Sequence, residues 1–153
     1  MTSEIPEGFS ALNFFGIGFI DVNGPLYGKR DGAHFLLGFR VEARHCNPAN
    51  ICHGGMLMTF ADMQLPFGIR LQADIDPGFL PTVHLSAEFL APAPLGAWVE
   101  GRTEVLRTTR NLAFAQCMVT ADNLPVLRAS GIFKVASAKG DVAPLERVLG
   151  NIK

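Results

Sequence analysis

Asp62 is the only acid between Glu42 and Asp74, and it lies in an apolar run among Phe60, Ala61, Met63 and Leu65. A carboxylate in such a run costs free energy unless it is paired or used, and its use would be as a base or nucleophile. Eight residues earlier, Gly54 and Gly55 stand where a helix would begin. A helix start carries unpaired N–H donors and a partial positive charge, which suit a polarised carbonyl or a developing oxyanion. Two glycines leave those donors sterically open, or let the loop pass close to a neighbour. Eight residues span about 12 Å of helix. One carbonyl carbon cannot lie within about 3.5 Å of the carboxylate while its oxygen meets the far end of the same helix. A donor and a base acting on one substrate therefore come from two subunits, or from a sharply bent helix.

Other residues compete for chemical roles. Asn47 precedes Pro48, a common turn position, and also offers a side-chain amide. His45-Cys46 and Cys52-His53 form a near-mirror around five residues, which does not match the short Cys spacing of zinc sites, and no second ligand pair follows. Cys52 and His53 are adjacent at a helix start, so their side chains diverge, and no third group orients them as nucleophile and base. No metal site is expected. Arg107 and Arg110 flank a two-Thr turn and fit a solvated hairpin tip. Neither a P-loop nor a GxGxxG is present, so nucleotide sites of those kinds are absent.

These residues need elements to hold them. The pattern predicts a helix from His53 to about Ala73, with Pro66 removing the N–H partner of the Asp62 carbonyl and favouring a kink or bulge near it. A strand is expected near Ile17–Asp21, and a hairpin from Leu26–Gly28 and His34–Ala43. Four more strands are expected at Thr82–Leu90, Ala97–Leu106, Leu112–Ala121 and Val126–Val135. Their short connectors imply an antiparallel meander. One long helix on such a sheet makes an α+β fold. Residues 1–153 read as a single domain with a core at about 10–136. The tail at 137–153 has a weak helical pattern at Pro144–Leu149 and no recognisable chemistry.

Hydrophobic residues make up 48% of the chain and charged residues 18%, an apolar balance that a small domain often hides in an oligomer interface. The net charge is −1 with no basic run, which excludes a nucleic-acid partner of the usual kind. The longest apolar stretch, Gly54–Leu71, is broken by Asp62, Gln64, Pro66 and Arg70, which argues against a membrane span. The N-terminus is acidic without an apolar signal core, and three cysteines cannot all pair. A reducing cytoplasm is the expected home.

The stretch from Asn47 through His53-Gly54-Gly55 to Asp62 resembles the hotdog-fold acyl-CoA thioesterases, in particular the phenylacetate-pathway (PaaI-like) type. Asn47 stands six residues before His53, and Asp62 nine after it. Thr82 in Pro81-Thr82-Val83-His84-Leu85-Ser86, Phe89-Leu90-Ala91-Pro92 with Gly96 behind it, and Arg110-Asn111-Leu112-Ala113-Phe114 extend the likeness to roughly residues 34–135. It departs at Asn50, where the family usually has Gly, although Asn tolerates left-handed backbone angles. The resemblance implies a hotdog fold, a five- to six-stranded antiparallel sheet wrapped around one long helix. It implies hydrolysis of an acyl-CoA to a free acid and CoA by a homodimer or a homotetramer of dimers, with each site shared across an interface. By the same resemblance Gly54 polarises the carbonyl and Asp62 is base or nucleophile. Asn47 helps hold the water or carbonyl, and Thr82 orients water beside Asp62. His53 and Gly55 shape the loop that meets the substrate, and Arg107 and Arg110 lie near the CoA phosphates, with Arg102 and Arg128 as weaker candidates. No cofactor is implied. A hotdog dehydratase acting on a β-hydroxyacyl thioester and a non-catalytic acyl-CoA-binding protein are the alternatives. Phe60, Met58, Met63, Phe67 and Phe79 read as ordinary core packing rather than as an acyl tunnel.

Overall fold

The computed structural model describes residues 4–14, 18–73, 75, 78–136, 145–150 and 152. Expectations for Ile17 and for residues 137–144 lie outside them. In chain order the elements are β1 (Ser10–Ala11), α1 (Phe19–Asn23), β2 (Tyr27–Asp31), β3 (His34–Arg40), a 3-10 turn (Ala43–His45), α2 (Gly54–Gln72), β4 (Thr82–Phe89), β5 (Trp98–Thr108), β6 (Leu112–Ala121), β7 (Leu124–Lys134) and α3 (Leu145–Leu149). The strands form one antiparallel sheet in the order β1-β2-β3-β5-β6-β7-β4. This is the mixed α+β hotdog architecture, with one strand more than the five to six that the resemblance implies, because the two-residue β1 extends the edge.

Local chemistry sets the turns. The β6–β7 hairpin closes through Asp122 and Asn123, both at positive φ, as a two-residue turn matched to strand twist requires. Alternation of period two in β5, β6 and β7 turns Val99, Thr103, Ala113, Val119, Leu127 and Phe133 inward. On their inner side lies α2, which buries Leu57, Phe60, Ala61, Leu65 and Ile69. Helix and sheet approach closely at two glycines. A Cβ on Gly68 would sit 2.4 Å from the Thr103 Cβ, and one on Gly101 would sit 2.9 Å from the Gln64 side chain.

Two expectations are corrected. Residues Phe19–Asn23 form a short helix, not a strand; Phe19, Ile20 and Val22 within five residues fit one helical turn as well as an extended run. The last four strands are not a simple meander, because β4 pairs with β7 and leaves β5 to pair with β3. The connector 90–97 carries the chain across before it turns at residues 94–97, where the Ala97 N–H donates to the Pro94 carbonyl and Gly96 has φ 87. The five residues 90–94 ahead of that turn reach about 17 Å when extended, enough to pass the three strand spacings of about 15 Å that separate β4 from β5. Pro66 lies inside α2, which is continuous from Gly54 to Gln72.

Gln64, fully buried inside α2, binds the helix to β3 and β5. The Leu37 N–H donates to its Oε1 at 2.7 Å, and its Nε2 donates to the Phe35 carbonyl and to Thr103 Oγ1, both at 2.9 Å. Thr103 Oγ1 donates in turn to the Gln64 carbonyl at 3.0 Å. Gln72 repeats the pattern two turns on, accepting from the Phe35 N–H and donating to the Thr103 carbonyl. Gln64→Leu keeps the volume and orphans the Leu37 N–H and Phe35 carbonyl, so it should cost on the order of 3 kcal/mol in a urea unfolding titration. A loss below about 1 kcal/mol would show that water or a neighbour replaces the amide.

Candidate active site

The candidate residues fall into two groups at different ends of one strand. At the start of α2, His53 occupies the N-cap position and its Nδ1 accepts from the Gly55 N–H at 2.8 Å. That bond takes the Gly55 donor. Gly54 is the first helical residue, and its N–H has no partner within the helix. A Cβ there would meet the Phe89 ring at 3.2 Å, so the far end of β4 packs over this helix start.

Asn47 belongs to the same end. Its Oδ1 accepts from the Ala49 N–H at 3.0 Å and lies 3.5 Å from the Ile51 nitrogen, while its amide nitrogen takes no part in these bonds. Asn50 adopts φ 57, so this turn does use the left-handed angle that glycine would supply. Cys46 and Cys52, both free thiols, face each other across it in an antiparallel backbone pairing. Burial, with the Cys46 charge adding to it, pushes the Cys52 thiol up to about 12, so it stays protonated near neutral pH. Burial does the same to Cys117, also to about 12. Among the described residues, no three His, Cys, Asp or Glu side chains gather to hold a metal ion. Nor is any described helix long and apolar enough to cross a membrane.

The second group is Asp62 with Thr82. Thr82 Oγ1 donates to Asp62 Oδ1 at 2.7 Å. Asp62 is half-buried in the single chain rather than sealed, because β4 exposes Thr82 on that side. The pair sits on the wall of a cleft of about 460 Å³, a size suited to a small-molecule site. Most of the cleft wall is apolar. Phe67, Met63 and Phe79 line it, together with Phe14, Phe19 and Val148 from near the two termini, whereas Phe60 is core. Neither the terminal residues nor Arg70, a charged residue on the same wall, stood out in the sequence; the only signal for Arg70 was that it interrupts an apolar run.

Arg107 and Arg110 are exposed at the β5–β6 turn. The turn lies at the Thr82 end of the sheet: Leu112 pairs with Lys134, Phe133 pairs with Thr82, and the Val135 N–H donates to the Asn111 carbonyl. Arg102 is tied instead to Asp31 and His34, and Arg128 faces Glu88 at 3.9 Å.

His45 anchors the Asn47 turn from below. The buried ring accepts the Glu42 N–H at Nδ1, 3.0 Å, and its Nε2 lies 3.0 Å from the Asn23 carbonyl, which fits the neutral Nε2–H tautomer. Burial lowers its pKa from 6.5, helped by the Arg44 charge against opposing pulls from the Asn23 carbonyl and Glu42. Stability from the neutral ring is therefore whole above the unfolded value and is lost as pH falls toward the lower folded one. The thermal midpoint of the wild type should drop more steeply below about pH 6.5 than that of His45→Gln. Parallel profiles would show that His45 titrates as freely as in the unfolded chain.

The model of the thioesterase superfamily matches residues 49–127. A Pseudomonas aeruginosa protein carrying the name "Putative esterase PA0474" is 32% identical over 131 residues, covering 85% of this chain and 96% of that protein. Among solved structures, zebrafish thioesterase superfamily member 2 aligns with a TM-score of 0.68 at 21% identity, over 77% of this chain and 87% of that one. A variant of the phenylacetic acid degradation protein PaaI from Thermus thermophilus aligns at 0.65 and 20%, over 75% and 96%. A hypothetical thioesterase from Streptococcus pneumoniae, solved with coenzyme A, aligns at 0.64 and 16%, over 75% and 88%.

Proposed function

Because the chain belongs to the thioesterase superfamily, we propose that it hydrolyses an acyl-CoA to a free carboxylic acid and CoA, at a site shared by two copies of the chain. One observation carries the shared site. Edge strand β4 has Thr82 and Asp62 at one end and, at the other, Phe89 packed on Gly54. Its outer edge is unpaired among the described residues, and Val83, Phe89 and Leu90 are 60%, 55% and 52% exposed. A long apolar edge invites pairing. Two β4 strands pairing antiparallel about a two-fold axis bring the Asp62 end of each copy to the Gly54 end of the other. The separation of about 12 Å along one helix then ceases to be an obstacle.

In that arrangement the Gly54 N–H of one copy donates to the thioester oxygen, and the negative charge that develops there is met by the helix start. Asp62 of the other copy either takes a proton from water as the water attacks, or attacks the carbonyl itself. By the first route a tetrahedral intermediate collapses with cleavage of the C–S bond, and the proton goes to the departing thiolate. By the second an acyl anhydride forms, CoA leaves, and water then cleaves the anhydride. Thr82 holds the carboxylate in place, Asn47 turns its free amide nitrogen toward the carbonyl or water, and His53 with Gly55 fixes the loop. CoA as the carrier is supported by the coenzyme A in the Streptococcus pneumoniae relative. Arg107 and Arg110, at the Thr82 end of the sheet, suit its phosphates.

Asp62→Asn should leave folding and CoA-ester binding intact while lowering turnover by about a thousandfold or more, because an amide accepts no proton at neutral pH. A loss within about tenfold, some 1.4 kcal/mol, would make Asp62 structural. In the same assay, replacing CoA by a pantetheine carrier should raise KM for the wild type and abolish any effect of Arg107→Ala with Arg110→Ala.

A further inference from the structure

Among the described residues lining the Asp62 cleft, Asp62 is the sole anion and Arg70 the sole cation. Asp62 has Thr82 as its partner. Arg70 is half-buried, and its guanidinium is bonded to no acceptor among the described residues. A guanidinium in a cleft also lined by Phe67, Phe79 and Leu80 gains from an anion that meets it there, since charge-assisted bonds strengthen as water is displaced. Asp62, Pro66 and Arg70 follow one another at four-residue steps, so one face of α2 presents both charges to the same cleft.

We propose that this cleft takes an acyl group that ends in an anion, the ω-carboxylate of a dicarboxylic acid monothioester, held by Arg70 while the thioester carbon meets Asp62. The proposal rests on the acyl-CoA reading above and gives it a substrate class. The two charges fix the direction of the substrate. An anion is repelled from the Asp62 end and drawn to the Arg70 end, and the apolar wall between them covers a methylene stem. Eight residues of helix set the charges about 12 Å apart. An extended chain advances about 3.5 Å per three bonds, so the span corresponds to about ten bonds, and the reach of the Arg side chain shortens this to an acyl group of about six to ten carbons.

The test compares thiol release from matched pairs of acyl-CoA esters of about eight carbons, one plain and one bearing an ω-carboxylate, with both acyl groups also supplied on N-acetylcysteamine. The wild type should favour the ω-carboxyl ester by about tenfold or more in kcat/KM. Arg70→Gln should lose about thirtyfold on that ester and stay within about threefold on the plain one, with the same contrast on the short thiol carrier. Arg70→Lys should recover part of the loss, as a point charge without the fork that grips a carboxylate. Equal rates for the two wild-type substrates would overturn the proposal, and that comparison needs no variant to fold. So would a defect in Arg70→Gln that appears only with CoA esters, since Arg70 would then be reading the phosphates of the carrier. Failure to hydrolyse any thioester would instead bring down the acyl-CoA reading on which the proposal stands.

Discussion

The rigid separation of Gly54 from Asp62 along one helix is the constraint on which the functional account depends. An α-helix does not shorten, and α2 runs unbroken through Pro66. The open N–H and the carboxylate are therefore held two turns apart in every copy of the chain. Chemistry on one carbonyl requires them together. On the proposed reading edge strand β4 offers the solution, because it spans the same two points and presents an apolar edge that is unpaired among the described residues. Pairing that edge with its own copy reverses the strand and exchanges the ends. What is an obstacle in the single chain becomes, in a two-fold pair, the geometry of two equivalent sites.

That geometry is useful only if α2 cannot shift on the sheet. Contact is closest where Gly68 meets Thr103 and Gly101 meets Gln64, and there a single added carbon has no room. Gln64 and Gln72 then give the helix a register against β3 and β5 that packing of smooth apolar side chains alone would leave loose. Four satisfied bonds on one buried amide and its Thr103 neighbour make a polar network worth more for position than for net stability. The Asn47 turn is held the same way from the other side, by His45 below it and by its own Asn side chain.

Much of this was legible in the residues. The helix, its start at the Gly pair and the inward alternation of the late strands follow from spacing and from side-chain type. The resemblance put Thr82 beside Asp62 as the residue that orients water; the structure shows its hydroxyl donating to the carboxylate itself. Sheet order was not legible. Short connectors suggest neighbours, and nothing in residues 90–97 says from composition that this Pro-containing segment will cross three strands before it turns. The short helix Phe19–Asn23 was misread because a few apolar residues fit either period. The walls of the cleft were equally hidden, since Phe14, Phe19 and Val148 lie far apart in the chain and are brought together only by the fold. Arg70 carried no signal beyond interrupting an apolar run, and its meaning depends on what stands opposite it.

The central claim is that donor and base come from different copies, and subunit complementation tests it most directly. Gly54→Pro removes the N–H at the first helical position, where proline is tolerated, and His53 already has the extended ψ of 137 that a following proline requires. This variant and Asp62→Asn should each be inactive alone. Mixed and reassociated in equal amounts, half of the dimers should be hybrids with one intact site, giving about a quarter of wild-type activity. If donor and base instead belong to the same chain, every site in every dimer carries one defect. Activity that stays at the level of the separate variants would contradict the account.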